Sequence, residues 1–364
     1  MTKLSGPLAG IRIVEIDAIG PVPLAAMLLA DMGAEIIRVA RPPSAGAGDW
    51  DDVGGDILHR SRTVIHLDLK RDDDRAQLLD LIDRADGLIE GYRPGVMERL
   101  GIGPDICLAR NPRLVFGRMT GWGQSGPLAM RAGHDINYLS ITGALHAMGE
   151  PGQPPSVPLN LVGDYGGGAM FLIFGLLSAL LSAQRTGRGQ VVDACITDGV
   201  ASLMSLFYAW QPKGLWTDAP ASNLLDGAAP FYRCYMCADG RHVAVGCLEP
   251  KFFAQMVDGL GLSDRRYDQN DRAAWPMMQA DFTAAFATRT RDAWADHFAH
   301  TDACVTPVLA MAEAPGHPHN QARGTFVQRD GIAHPAPAPR LDLTEGAITE
   351  AASADVADII RQWS

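Results

Sequence analysis

The 364-residue chain carries 31 Lys and Arg against 42 Asp and Glu, a net charge of −11, and 47% of it is hydrophobic. That apolar share excludes a wholly disordered chain, and the length predicts a large core divided over roughly two domains. The acidic balance argues against nucleic acid as the main partner, because phosphate backbones need a basic surface. A phosphorylated small molecule held by a few local arginines stays compatible with it.

In chain order, the first third alternates strand and helix signals. Residues 11–16, 35–39, 64–69, 87–90 and 113–116 read as buried strands. Between them, 23–32 reads as a helix opened by Pro21 and Pro23 and closed by Gly33, and 75–84 as another. Such alternation predicts a parallel sheet covered by helices, with ligands bound beyond the carboxyl ends of its strands. Leu139 to Met148 reads as an apolar helix. From Gly166 to Leu181 the chain is almost wholly apolar, yet shorter than the roughly 20 residues of a membrane span, so a buried core helix is expected. Val200 to Trp210 reads as a second helix of this kind. After a Pro/Gly/Ala/Asn-rich linker at 211–230, the runs 231–237 and 242–247 form a hairpin around Ala238–Arg241. Helical patterns follow at 250–262, 273–288 and 291–299, which predicts a small α+β domain. Pro335 to Pro339 reads as a stiff connector and Asp355 to Trp363 as a terminal helix capped by Asp355.

The start, with one lysine and no apolar secretory core, and the end, Arg361–Ser364, carry no address, so a cytoplasmic location is expected. The six cysteines (Cys107, Cys195, Cys234, Cys237, Cys247 and Cys304) then read as free thiols. Cys234 and Cys237 form a C-x-x-C without a second pair or a histidine cluster to complete a metal site. Gly121–Gly126 matches G-x-G-x-x-G but meets Pro127 at once and opens no helix, so it reads as a glycine loop rather than a dinucleotide site. Asp51-Asp52 and the Arg71–Arg75 run read as solvated charge and helix-start acids. His297, His300, His317 and His319 read as surface histidines.

Two runs carry chemistry. Gly133-His-Asp-Ile-Asn-Tyr138 packs polar and ionisable groups before an apolar helix, and Asp135 reads as an N-cap or the run as a site. Asn160-Leu-Val-Gly-Asp164-Tyr-Gly-Gly-Gly168 sets a carboxylate at the head of the most apolar helix. Asp164 reads as an N-cap, or as a proton carrier beside free helix N–H groups that stabilise an oxyanion, with the glycines letting a ligand approach. Arg38, Arg41, Arg93 and Arg99 lie at or after early strands, where together they would form a phosphate pocket.

These runs, together with 10–15, 33–38, 90–95, 119–124, 243–250 and 302–307, resemble the family III CoA-transferases over nearly the whole chain. The Gly133–Tyr138 run is similar to that of the α-methylacyl-CoA racemase branch. The resemblance implies an α/β fold with a Rossmann-like large domain (1–210, completed by 331–364), a linker at 211–230, a small α+β domain at 231–310 and a return linker at 311–330. It implies an interlocked homodimer, an acyl-CoA substrate, no redox cofactor, no metal and no membrane span. By resemblance, His134 and Asp164 are the acid/base pair and Glu249 a carboxylate that approaches the histidine. Arg41, Leu67, Asp68, Leu69, Lys70, Gly91, Tyr92, Arg93, Arg99 and the Gly133–Tyr138 run (Gly133, Asp135, Ile136, Asn137, Tyr138) match CoA-contacting positions, with Arg38 a weaker one. The loop 43–55 is longer than expected there. The implied reaction interconverts 2R and 2S 2-methylacyl-CoA by proton transfer through an enolate. The alternative is a CoA-transferase in which Asp164 is a nucleophile.

Overall fold

The computed structural model describes residues 6–42 and 54–364. The Asp51-Asp52 pair and most of the 43–55 loop therefore lie outside the described residues. The described chain divides into two units. One comprises the chain up to Ala144, Pro158–Ser205 and Val327–Ser364; the other comprises Leu145–Val157 and Leu206–Phe326. The second thus takes in the linker expected at 211–230, residues 311–326 of the expected return linker, and residues 145–157 and 206–210, which the sequence places in the large domain.

The first unit is built on a parallel sheet. Its strands are β1 (Arg12–Ile16), β2 (Glu35–Ala40), β3 (Thr63–His66), β4 (Gly87–Glu90), β5 (Val115–Thr120) and β6 (Gln190–Cys195). A short strand, Ala352–Ser353, adds to the outer edge of β3, so the order runs from it through β3, β2, β1, β4 and β5 to β6. The order reverses direction between β1 and β4, and such a switch point opens a crevice at the carboxyl edge. Apolar strands buried on both faces explain why β1, β2 and β4 are legible in sequence.

Helix Pro21–Asp31 starts where its two prolines have φ preset, after Gly20 at φ 79°. Leu78, Leu81 and Ile82 of helix Asp72–Ile82 pack with Val356, Ile359 and Trp363 of the terminal helix Val356–Trp363 and with the sheet. Each such side chain contributes about 1.5–3 kcal/mol by leaving water. Asp355 stands at the N-cap of the terminal helix, as expected from the sequence.

Three readings of elements are corrected. β5 begins two residues later than expected and runs to Thr120, because the interior Arg118 that breaks its apolar pattern is paired with Glu90. The apolar run expected at 166–181 lies in a continuous helical stretch of 26 residues, Leu161–Thr186, long and apolar enough to cross a membrane. Its buried face packs on the sheet: a Cβ on Gly117 would lie 3.1 Å from Leu172, and one on Gly175 2.7 Å from Val192. The run 200–210 is two helices, Ile196–Leu203 and Ser205–Trp210.

In the second unit β7 (Tyr232–Met236), β8 (His242–Gly246) and β9 (Val305–Pro307) form an antiparallel sheet. Helices Pro250–Gly259, Trp275–Phe286 and Arg291–Phe298 enclose its core of Tyr235, Val243, Val245, Met256, Phe282 and Trp294. The hairpin and all three helices fall where the sequence indicates them.

Candidate functional site

At the carboxyl edge of the parallel sheet the strand ends bring distant residues together. β1 leads into Asp17–Gly20, β2 into Arg41, β3 into Leu67–Lys70, and β4 into Gly91–Arg93. A Cβ on Gly91 would lie 3.0 Å from both Ala18 and Val22, so a side chain there would crowd the loop after β1 and the start of helix Pro21–Asp31. The Arg41 side chain bonds Tyr92, and the Arg41 carbonyl lies 2.9 Å from His66 Nδ1. Arg93, Arg99 and Lys70 are exposed around them. Arg38 departs from the expected pocket: it is buried within β2 and bonded to Asp17 at 2.8 Å. Leu67 belongs to the core, and the half-buried Leu69 packs against it. Asp68 accepts the N–H of Lys70 and gives its own N–H to Asp74, which makes this stretch a rigid turn.

Glu90 was not singled out by sequence. Its carboxylate accepts the Tyr92 N–H at 2.6 Å and Arg118 Nε at 3.0 Å. Arg118 also bridges to Glu98. Burial pushes the Glu90 carboxyl up to about 7 against the pull of these partners. Two opposite charges inside neighbouring strands were the available signal.

His134 is exposed and caps helix Asp135–Ser140, which is six residues long and not the 139–148 helix expected. Asp135 is therefore not its N-cap. The Asp135 side chain turns away and accepts the backbone N–H of Asp164 at 2.7 Å, with a further bond from the Gly163 N–H. Ile136 is exposed, and Asn137 and Tyr138 hold backbone groups beside His134.

Asp164 lies inside a π-helix, Leu161–Ala169, whose N-cap is Asn160. It is thus no N-cap; the cap of that helix start is supplied by the carboxylate of Asp135. Wide π turns concentrate at functional sites. Here the turn presents a half-buried carboxylate beside Gly20, where a Cβ would lie 3.3 Å from Asp164 Oδ2. The expected oxyanion hole at this helix start is corrected, because Asp135 already occupies the Gly163 and Asp164 N–H groups. The glycine run is likewise packed by protein. A Cβ on Gly167 would lie 2.6 Å from Val200, and one on Gly168 3.0 Å from Pro21.

Burial pushes the Asp164 carboxyl up to about 6; the Asp135 charge adds to the rise, and His134 opposes it. His134 therefore lies close enough to Asp164 for their charges to interact. An exposed imidazole and a carboxyl with a raised pKa, carried on separate loops, can flank one carbon and exchange protons with it.

Glu249 belongs to the second unit, at the N-cap of helix Pro250–Gly259, where its carbonyl accepts the N–H of Phe252 and Phe253. Its charge acts on the exposed Cys304. Cys234 is exposed and Cys237 buried on opposite faces near the end of β7, so this pair does not converge on one ligand. Among the described residues no group of three or more His, Cys, Asp or Glu is placed to hold a metal.

A Rossmann-ordered parallel sheet with exposed arginines at its carboxyl edge defines an α/β protein that takes its ligand at that edge. The chain belongs to CoA-transferase family III, whose family model matches residues 8–352. It is 44% identical over 340 residues to the alpha-methylacyl-CoA racemase of Mus musculus, covering 93% of this chain and 87% of that one. Against the Homo sapiens alpha-methylacyl-CoA racemase it is 44% identical, covering 92% and 86%. In fold it is similar to a CAIB/BAIF family protein from Brucella suis, with a TM-score of 0.83, 22% identity, and 99% and 100% coverage.

Proposed function

We propose that this protein is an isomerase that epimerises 2-methylacyl-CoA thioesters by 1,1-proton transfer. The reading is carried by an Asp164 carboxyl pushed up to about 6 by burial, with His134 near enough for its charge to act on it. A carboxyl near that value is present both as base and as acid near neutrality, which reversible inversion requires. In one direction neutral His134 takes the α-proton, the C–H pair becomes a carbon–carbon double bond while the carbonyl π pair moves to the thioester oxygen, and as the carbonyl re-forms protonated Asp164 delivers a proton to the opposite face. In the reverse direction the roles exchange. The first N–H groups of helix Asp135–Ser140, next to His134, are the donors proposed for the enolate oxygen, since those at Asp164 are engaged.

Arg41, Tyr92, Arg93, Arg99 and Lys70 are proposed to contact CoA. Glu249 is proposed as a further catalytic carboxylate. No metal or redox cofactor takes part in this scheme, and a cytoplasmic homodimer is its proposed form.

The test is incubation of one epimer of a 2-methylacyl-CoA with desalted, chelator-treated enzyme in D2O. Deuterium should enter the α-position as the epimers equilibrate, with no adduct trapped at Asp164 by hydroxylamine. His134→Ala and Asp164→Asn should each lower epimerisation by about 10²-fold or more. A hydroxylamine-labelled Asp164 peptide, with CoA passing to a second acid, would establish the transferase instead.

A further inference from the structure

The peptide bond that leads into His134 is gripped on both edges by side chains from a single helical turn. The Gly133 carbonyl accepts the Tyr138 hydroxyl. The His134 N–H donates to Asn137 Oδ1 at 3.0 Å. On the far side of His134, its carbonyl accepts the N–H of Asn137 at 2.8 Å and of Tyr138 at 3.3 Å. With this peptide plane held at its oxygen and its N–H, and the His134 carbonyl held in turn, the backbone is pinned on both sides of the His134 Cα, which sets the direction of its Cα–Cβ bond.

Tyr138 is itself fixed. Its ring stands edge-on to Trp122 at 4.8 Å. A Cβ on Gly121 would lie 2.0 Å from that ring and one on Gly133 2.8 Å, so both glycines are filled by it. The Gly121 carbonyl accepts Thr197 Oγ1 at 2.7 Å, which ties this wall to helix Ile196–Leu203. Burial pushes the Tyr138 phenol up to about 12, so its hydroxyl stays a donor. The backbone N–H of Asp164 is held by a different side chain, that of Asp135, while the Asp164 charge also acts on the Tyr138 phenol.

From this geometry we infer that Asn137 and Tyr138 are positioning residues that aim His134, so that they govern proton transfer on one face of the α-carbon and not on the other. The inference rests on the two-base reading above and assigns these two side chains a role apart from CoA contact. Preorganised bases lose rate steeply when misaimed, and a displacement of about 1 Å costs on the order of 10²-fold.

The experiment measures α-proton exchange in D2O from each epimer separately, together with kcat and KM. The epimer served by His134 is identified as the one whose exchange His134→Ala abolishes. Tyr138→Phe keeps the ring and removes only the hydroxyl. It should slow exchange of that epimer by about tenfold or more, leaving KM and exchange of the other epimer within about twofold. Asn137→Ala should do the same, and Asn137→Asp, which keeps an acceptor oxygen, should restore most of the rate. Equal slowing of both epimers in folded variants would reduce the two residues to general structural roles. A raised KM with kcat unchanged would make them CoA ligands. Both outcomes overturn the inference while the racemase reading stands. A wild-type enzyme that exchanges neither epimer would remove both.

Discussion

At Asp164 the proposed chemistry and the stability of the fold make opposite demands. Burial and the neighbouring Asp135 raise its pKa from an ordinary 3.8 to about 6. The folded state therefore holds this proton more tightly than the unfolded state does. The stabilisation from that proton is complete below the unfolded pKa and is lost as pH rises through about 6. Asp164→Asn should accordingly be more stable than the parent above pH 6, by about 1–2 kcal/mol once the half-open setting is allowed for. The advantage should vanish near pH 3.5. Thermal melts of both proteins across that range check it, and a variant less stable at pH 7 would contradict the assignment of cause. Activity and stability trade against each other at such sites.

At the level of elements, the glycines around Asp164 serve helix packing. A Cβ on Gly199 would lie 1.9 Å from the Gly167 carbonyl oxygen, so helix Ile196–Leu203 and the π-helix touch backbone to backbone. Neither partner in that contact is a flexible side-chain tip. Gly199→Ala must therefore part the two helices, at a cost of about 1–3 kcal/mol or more. Because the π-helix carries Asp164, kcat should fall along with the melting temperature. A Gly199→Ala enzyme of unchanged Tm and kcat would refute the packing role. By contrast, Gly187 at φ 72° ends helix Met170–Thr186 with open space around it, so alanine there strains only the backbone.

For the molecule as a whole, the long helix leaves apolar side chains uncovered on the chain described: Phe174 is 71% exposed, Leu181 58% and Met170 50%. Leu203 and Leu206 add to the exposed apolar surface. A homodimer is the proposed cover, and the family resemblance implies one in which the chains interlock. Dissociation would then require partial unfolding, so dilution should not release active single chains. Sedimentation of active enzyme at twice the chain mass of 39.0 kDa is the expected result. An active species of one chain mass would refute the dimer.

The sequence by itself determined the sheet strands whose apolar runs are unbroken and the hairpin and helices of the second unit, while the roles proposed for His134 and Asp164 rest on the family resemblance. Those strands and helices depend on local periodicity. Edge strand β6 went unread because its solvent-facing residues dilute the pattern. β5 was shifted because a charge inside a strand is intelligible only with its partner, 28 positions away. The tertiary structure alone decided that Asp135 caps a π-helix rather than its own helix, and that the glycines after Asp164 receive Val200 and Pro21 rather than a ligand. It also decided that Arg38 answers Asp17. In each case a side chain or a missing Cβ has several possible partners along the chain. Which one it meets is set by how the helices dock on the sheet, through contacts that no window of sequence contains.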